Sequence, residues 1–203
     1  MLVLFLAISL VYANYAQSIM TAVAKIHLDS KDGLTGFFIF AQMNENSPVI
    51  IKGNIWNMPP NTVHGLHVHE YPLSSDVLNC TAAGSHFNPY GKLSSDYSYD
   101  LVNFRNPLQG TSHGSITEDI NHRHVGDLGN VTSNSNGHIY IDIKDSIIQL
   151  CNATQSITNR TIVLHAMRDD GGMGGFPDSN TTGNAGARLA CGTIILQKTW
   201  FKQ

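Results

Sequence analysis

An all-β protein, built as an antiparallel sandwich or barrel, is what this chain predicts. Three observations carry that expectation. Apolar and polar residues alternate in short runs, glycine, asparagine and proline punctuate those runs, and no stretch sustains a helical period. A charged fraction of only 13% beside 18 glycines fits a turn-rich β protein better than a helical one. At 203 residues, 42% of them hydrophobic, the chain suits one domain with a genuine core, and it shows no internal repeat.

The elements follow in order. Met20 to Leu28 alternates as a half-buried strand does, and Phe37 to Gln42 and Val49 to Trp56 read the same way. Turn signals at Asp32-Gly33 and Asn46-Ser47-Pro48 separate them. His64-Gly65-Leu66-His67-Val68-His69-Glu70 has a β-type pattern that places His67 and His69 on one face and His64 on the other. Ile139 to Ile143, Thr161 to Met167 and Thr193 to Gln197 supply later strands, punctuated by Asn136-Gly137 and Asp170-Gly171-Gly172. Two long loops stand out, from about Tyr71 to Asp127 and from Asp169 to Arg188. Loops of this length are functional or disordered.

A formal net charge of −3 with no basic run excludes nucleic-acid binding as the main task. The apolar run Met1 to Ala13 is too short to span a bilayer. Small residues at Ala13 and Ala16 suit cleavage of a signal peptide over residues 1–16, although only the terminal amine precedes the run as a charge. The alternatives are an N-terminal anchor or a buried strand. Five Asn-x-Ser/Thr sequons, at Asn79, Asn130, Asn152, Asn159 and Asn180, fit a secreted protein but also arise by chance in so Asn- and Thr-rich a chain. Three cysteines leave at least one unpaired within the chain.

Histidine carries the chemistry. Two imidazoles spaced two apart on a strand can bind one metal, but with ten histidines in the chain a lone His-x-His pair weighs no more than a surface pair. Further blocks raise its weight: His86-Phe87-Asn88-Pro89, His113-Gly114, His124-Val125-Gly126-Asp127-Leu128-Gly129-Asn130, Val163-Leu164-His165, and Gly183-Asn184-Ala185-Gly186-Ala187-Arg188-Leu189-Ala190-Cys191-Gly192.

In this order the blocks resemble the copper–zinc superoxide dismutase family, from about Thr21 to Gln197 with one long insertion. The resemblance narrows the fold to an eight-stranded antiparallel Greek-key barrel, an immunoglobulin-like sandwich with two long functional loops. It implies a dismutase domain over residues 20–198, an insertion over about 90–110 and a short tail at 199–203. Copper would be held by His67, His69, His86 and His165, and zinc by His86, His113, His124 and Asp127. His86 appears twice because the family's equivalent is an imidazolate bridging both metals, and full deprotonation of an imidazole needs a Lewis acid at each nitrogen. His122 competes with His113, but His113 is followed by glycine as in the family. Asp169 would accept hydrogen bonds from His67 and His113, and His64 would make a structural hydrogen bond.

Arg188 would dock superoxide beside the copper, and Thr182 would narrow the channel. Cys80 and Cys191 would form a disulfide, leaving Cys151 as an apolar thiol. The implied reaction disproportionates two superoxide anions to dioxygen and hydrogen peroxide by Cu(II)/Cu(I) cycling, with His86 as proton carrier. The implied setting is extracellular or another oxidising compartment, as a homodimer, with a copper donor as a further partner. Two positions that are usually glycine at the family's dimer contact are Pro72 and Asn159 here, with Ile157 and Leu196 apolar nearby. Two lysines often found near the channel in the family are replaced by Thr181 and Met167, which implies weaker long-range steering. A steep fall of rate with salt would instead point to Lys92 or Arg105 in the insertion as replacements. A non-catalytic metal-binding homologue is the main rival, and no copper histidine is missing to favour it. A copper chaperone would carry a Met-x-Cys-x-x-Cys domain, which this chain lacks.

Overall fold

The computed structural model describes residues 19–29, 34–74, 79–91, 112–151 and 154–197. The expected signal segment, most of the 90–110 insertion with Lys92 and Arg105, the sequon at Asn152 and the tail at 199–203 lie outside the described residues.

Nine strands form one antiparallel sheet: β1 Met20–Leu28, β2 Leu34–Gln42, β3 Val49–Ile55, β4 Val63–His69, β5 Asp127–Thr132, β6 Ile139–Asp145, β7 Thr161–His165, β8 Arg188–Thr193 and β9 Ile195–Gln197. The order across the sheet is β5-β4-β7-β8-β1-β2-β3-β6, with β9 also pairing β1. β8 and β9 act as one interrupted strand, because the N–H of Ile194 between them goes to Arg160 instead of β1. A bridge between Ser133 and Ile139 brings the two sheet edges together. The result is a nearly closed eight-stranded barrel. β1 to β3 form a meander, while the pairs β3–β6, β4–β7 and β1–β8 join strands distant in sequence, as a Greek key requires.

The core follows from alternation. β3 buries Val49, Ile51, Gly53 and Ile55 while Lys52 points out to meet Asp142 on β6. Phe38, Phe40, Leu66, Val68, Leu128, Ile139, Ile162 and Leu164 meet inside the barrel. β4 and β7 are buried along nearly their whole length, on both faces. In their register Leu66 faces Leu164 and Val68 faces Ile162, which line the core, while His67 faces Val163 and His69 faces Thr161 on the outer face. The long loops cover that outer face. A second apolar cluster of Cys80, Ala83, Val163 and Cys191 lies there, beneath the 3-10 turn Cys80–Ala83.

β5 is absent from the sequence expectation. Gly129 adopts a positive φ of 77° and Asn130 points outward, so the pattern Asp127-Leu128-Gly129-Asn130-Val131-Thr132 lacks clean alternation. β7 ends at His165, two residues before the expected Met167. A bulge there pairs His165 with Arg188, and the N–H of Met167 turns to Ala185.

Candidate metal centre

β4 and β7 supply His67, His69 and His165; the segment that folds back on β4 supplies His86. Glu70 donates its N–H to the carbonyl of Ser85 at 2.9 Å, and Phe87 donates to Val68 at 2.8 Å. His86 is thereby set opposite His69. Gly126 donates its N–H to Phe87 and accepts one from Val68, and a Cβ on Gly126 would collide with the Val68 carbonyl. Only glycine lets these three segments close up next to Asp127.

Donor atoms of His67, His69, His86 and His165 lie within 4.8 Å of one another, all buried. The outward nitrogen of each strand histidine has an acceptor. His67 Nε2 is 2.8 Å from Asp169 Oδ2, His69 Nδ1 is 2.9 Å from the Gly84 carbonyl, and His165 Nδ1 is 3.1 Å from the Gly186 carbonyl. A carbonyl or carboxylate takes only a proton, so each ring's N–H points outward and its lone pair points inward. His67 Nδ1 and His86 Nε2 are buried with no hydrogen-bond partner, and the Nε2 atoms of His69 and His165 face each other. Four converging imidazole lone pairs are what a copper ion binds.

The adjoining cluster is richer in negative charge. His67, His86, His113 and Asp127 also have donors within 4.8 Å of one another. His86 Nδ1 is 2.9 Å from Asp127 Oδ1, and His113 Nδ1 is 3.0 Å from Oδ2. His124, expected in this set, lies slightly farther, its Nδ1 3.4 Å from Asp127 Oδ2. The Nδ1 atoms of His113 and His124 are buried and make no hydrogen bond. His113 Nε2 is 2.7 Å from Asp169 Oδ1, so Asp169 holds His67 with one oxygen and His113 with the other. Three imidazoles and one carboxylate, buried and closely spaced, suit a tetrahedral zinc. His122 is exposed, pairs with Asp119 and stays outside both clusters. His86 has one nitrogen against Asp127 and the other toward His67, His69 and His165, so it stands between the two sets.

Burial and the two carboxylates set the electrostatics of the site. Burial first, and the neighbouring His86 next, hold His67 and His69 well below the usual imidazole pKa. Burial likewise lowers His86, and takes His165 down to about 4. His113 goes the other way. Burial works against its charge, but Asp127 and Asp169 outweigh it and raise it to about 9. Burial opposes the charge of Asp127 too, and the close His113, His124 and His86 rings outweigh it and hold the carboxyl well below the carboxylate range.

A channel of about 840 Å³ leads from solvent to His69, His86 and His165. Met167, Thr181, Thr182, Asn180 and Arg188 line it. Arg188 donates from Nη1 to the Cys80 carbonyl at 2.6 Å and from Nη2 to the Gly84 carbonyl. Cys80 is disulfide-bonded to Cys191, three residues from Arg188, so the bridge and the guanidinium fasten the same turn. Cys151 is the free cysteine. Gly183 stands against Asp169 and His113 with φ 64°, where any Cβ would strike the Asp169 carboxylate. His64 donates from Nδ1 to the His165 carbonyl at 2.8 Å, and its Nε2 meets the Thr62 hydroxyl at 2.6 Å.

A family profile described as copper/zinc superoxide dismutase (SODC) matches residues 34–194. The chain belongs to the copper/zinc superoxide dismutase family. Family members of similar sequence include the protein named superoxide dismutase [Cu-Zn] of Humicola lutea, 39% identical over 85% of this chain and 96% of that protein. The protein of the same name from Candida albicans is 41% identical over 86% of this chain and 97% of its own length. Superoxide dismutase [Cu-Zn] 5 of Dictyostelium discoideum is 42% identical over 82% of this chain and 93% of its own.

Within this family frame, three residues of the site escaped the sequence reading. Arg123 is buried and donates to the carbonyls of Asp127 and Glu118 and to the Asp145 carboxylate. Asn130, noted as a sequon and as the end of the His124 block but given no role, uses both ends of its amide on the backbone of Asp169, at 2.8 Å each. Arg160 packs on Phe87. Nothing in a local pattern signals such long-range partners.

Proposed function

We propose that this chain disproportionates superoxide, taking two superoxide anions and two protons to one dioxygen and one hydrogen peroxide. His67, His69, His86 and His165 would hold copper, and His86, His113, His124 and Asp127 would hold zinc. Copper held there would supply the one-electron relay, and zinc would supply a fixed positive charge that does not change oxidation state. The supporting observation is tautomer control: every outward N–H of the three strand histidines has an acceptor, so their lone pairs converge with the unpartnered Nε2 of His86.

The chain's own residues do the rest. Arg188 binds the substrate anion: its guanidinium is tied by one edge to the Cys80 and Gly84 carbonyls and lies in the channel beside His69 and His165. Thr182 and Asn180 narrow the approach to a small anion. His86 carries the proton at Nε2, taking it when that nitrogen is free and giving it to the leaving peroxide. Asp127 steadies the ring through Nδ1. Asp169 keeps His67 and His113 in a single tautomer.

An oxidising compartment outside the cytoplasm fits the Cys80–Cys191 disulfide. No helix among the described residues is long and apolar enough to cross a membrane. A homodimer is supported by an exposed apolar patch. Tyr71, Ile195 and Leu196 are all about half exposed, and the loop carrying Tyr71 is tied to β8 through the Leu73 N–H and the Thr193 hydroxyl. Ile157, expected at that contact, is fully buried in the core.

The test is superoxide decay by the protein loaded with one copper and one zinc, beside Arg188→Ala. Fast decay that drops in the variant supports the reading. Full metal loading without decay rejects it in favour of a metal-binding homologue.

A further inference from the structure

Three segments that deliver histidines to the copper-side cluster meet at one side chain outside it, Arg160. It lies in the turn that leads into β7, the strand ending at His165. Its Nε donates to the Ser156 carbonyl and its Nη1 to the Glu70 carbonyl, each at 2.8 Å. Its guanidinium carbon sits 3.4 Å from the centre of the Phe87 ring. Glu70 directly follows His69, and Phe87 directly follows His86.

The backbone of Arg160 is equally fixed. Its N–H meets the Ile157 carbonyl at 3.2 Å, and its carbonyl accepts the Ile194 N–H at 2.8 Å. Phe87 is buried, its N–H on Val68 and its carbonyl on Gly126. The guanidinium therefore presses on the ring from the loop side while the backbone holds the same residue from the β4 side. A planar, permanently charged group can offer one edge to a carbonyl and its face to a ring, which a lysine ammonium cannot.

We propose that Arg160 is a positioning residue for His86: by clamping the Phe87 ring to the Glu70 carbonyl it fixes the direction in which His86 presents Nε2 to His67, His69 and His165. The inference rests on the metal-centre reading given above. It makes Phe87 more than filler for the core, since the ring transmits the clamp to the residue before it.

The test compares Cu(II)- and Zn(II)-loaded protein with Arg160→Lys, Arg160→Gln and Phe87→Leu, using the Cu(II) EPR spectrum and a copper competition titration. Thermal melting of each metal-free variant reports folding separately. Both Arg160 variants are expected to shift the EPR spectrum and to weaken copper binding roughly tenfold or more. Phe87→Leu is expected to give the same shift, and the double variant with Arg160→Gln to add nothing to it. Arg160→Lys carries the test if the glutamine variant does not fold. A parent-like spectrum and copper affinity, with only a lower melting temperature, overturn the proposal. An unsubstituted protein that takes up zinc but no copper rejects the metal-centre reading, and the proposal with it.

Discussion

His69 and His165 face each other Nε2 to Nε2 at 3.2 Å, each with its Nδ1 turned to a backbone carbonyl. Neither Nε2 carries the proton, so two lone pairs meet across a gap that only a cation or an added proton can relieve. Stripping the metals should therefore destabilise the fold, beyond what chelation does to a protein that merely binds ions at its surface. At metal concentrations a thousandfold above Kd, each bound ion adds about 4 kcal/mol of stability. Calorimetry with and without a chelator checks this, and an unchanged melting temperature would remove the metal from the account of stability.

Asp169 bonds to His67 and His113 with separate oxygens, so one substitution should loosen both clusters. Asp169→Asn replaces one acceptor with a donor, which cannot serve two ring N–H groups. Copper and zinc affinities are expected to fall about 10- to 100-fold, read by competition titration. Loss at one metal alone would show that the two histidines are oriented independently.

The metal-free protein should have a melting temperature that peaks in pH. His67, His69, His86 and His165 have folded pKa values pushed down, so the unfolded chain takes up protons first as pH drops below about 6.5, and stability falls. His165 alone, at about 4, accounts for roughly 3 kcal/mol over that window. His113, raised to about 9, contributes stability that is complete below about 6.5 and lost as pH climbs through 9. Four imidazoles act on the acid side, joined at lower pH by the depressed carboxyls of Asp127 and Asp169, against His113 on the alkaline side, so the acid limb should be steeper. A flat acid limb, in melts run with a chelator, would contradict the burial of these imidazoles.

Arg188 is the sole lysine or arginine among the described residues lining the channel, which also carries Glu70 and Asp178. Long-range attraction of an anion, for which superoxide dismutases are themselves a standard example, should be weak here. The catalysed rate is expected to decline only shallowly as ionic strength rises. A steep decline measured as kcat/KM against salt would assign the missing steering to Lys92 or Arg105.

Leu196, Ile195 and Tyr71 are exposed apolar residues, at 50%, 47% and 51%. Leu196→Asp should convert a dimer to monomer without unfolding the barrel, since the side chain is outside the core. Sedimentation velocity distinguishes the species, and a variant that sediments as the parent does would place the interface elsewhere.

Most strands were legible in the chain because side chains on a strand alternate, and Val49–Ile55 shows that alternation residue by residue. The ligand blocks were legible through their resemblance to the copper–zinc superoxide dismutase family, while spacing alone showed only that His67 and His69 share a strand face. β5 was hidden by Gly129 and Asn130, which break the pattern. The roles of Asn130, Arg123 and Arg160 were hidden because each acts on backbone or rings brought near only by folding.

The sequence by itself determined the class of fold, the identity of the histidine blocks and the cysteines available to pair, since each depends on residue type and near-neighbour spacing. Only the tertiary structure decided which nitrogen of each ring faces inward. That choice belongs to the Gly84 and Gly186 carbonyls and the Asp169 carboxylate, contributed by loops far from β4 in the chain. A hydrogen bond sets a tautomer only when its acceptor stands within about 3 Å, and no periodicity in the chain records that distance.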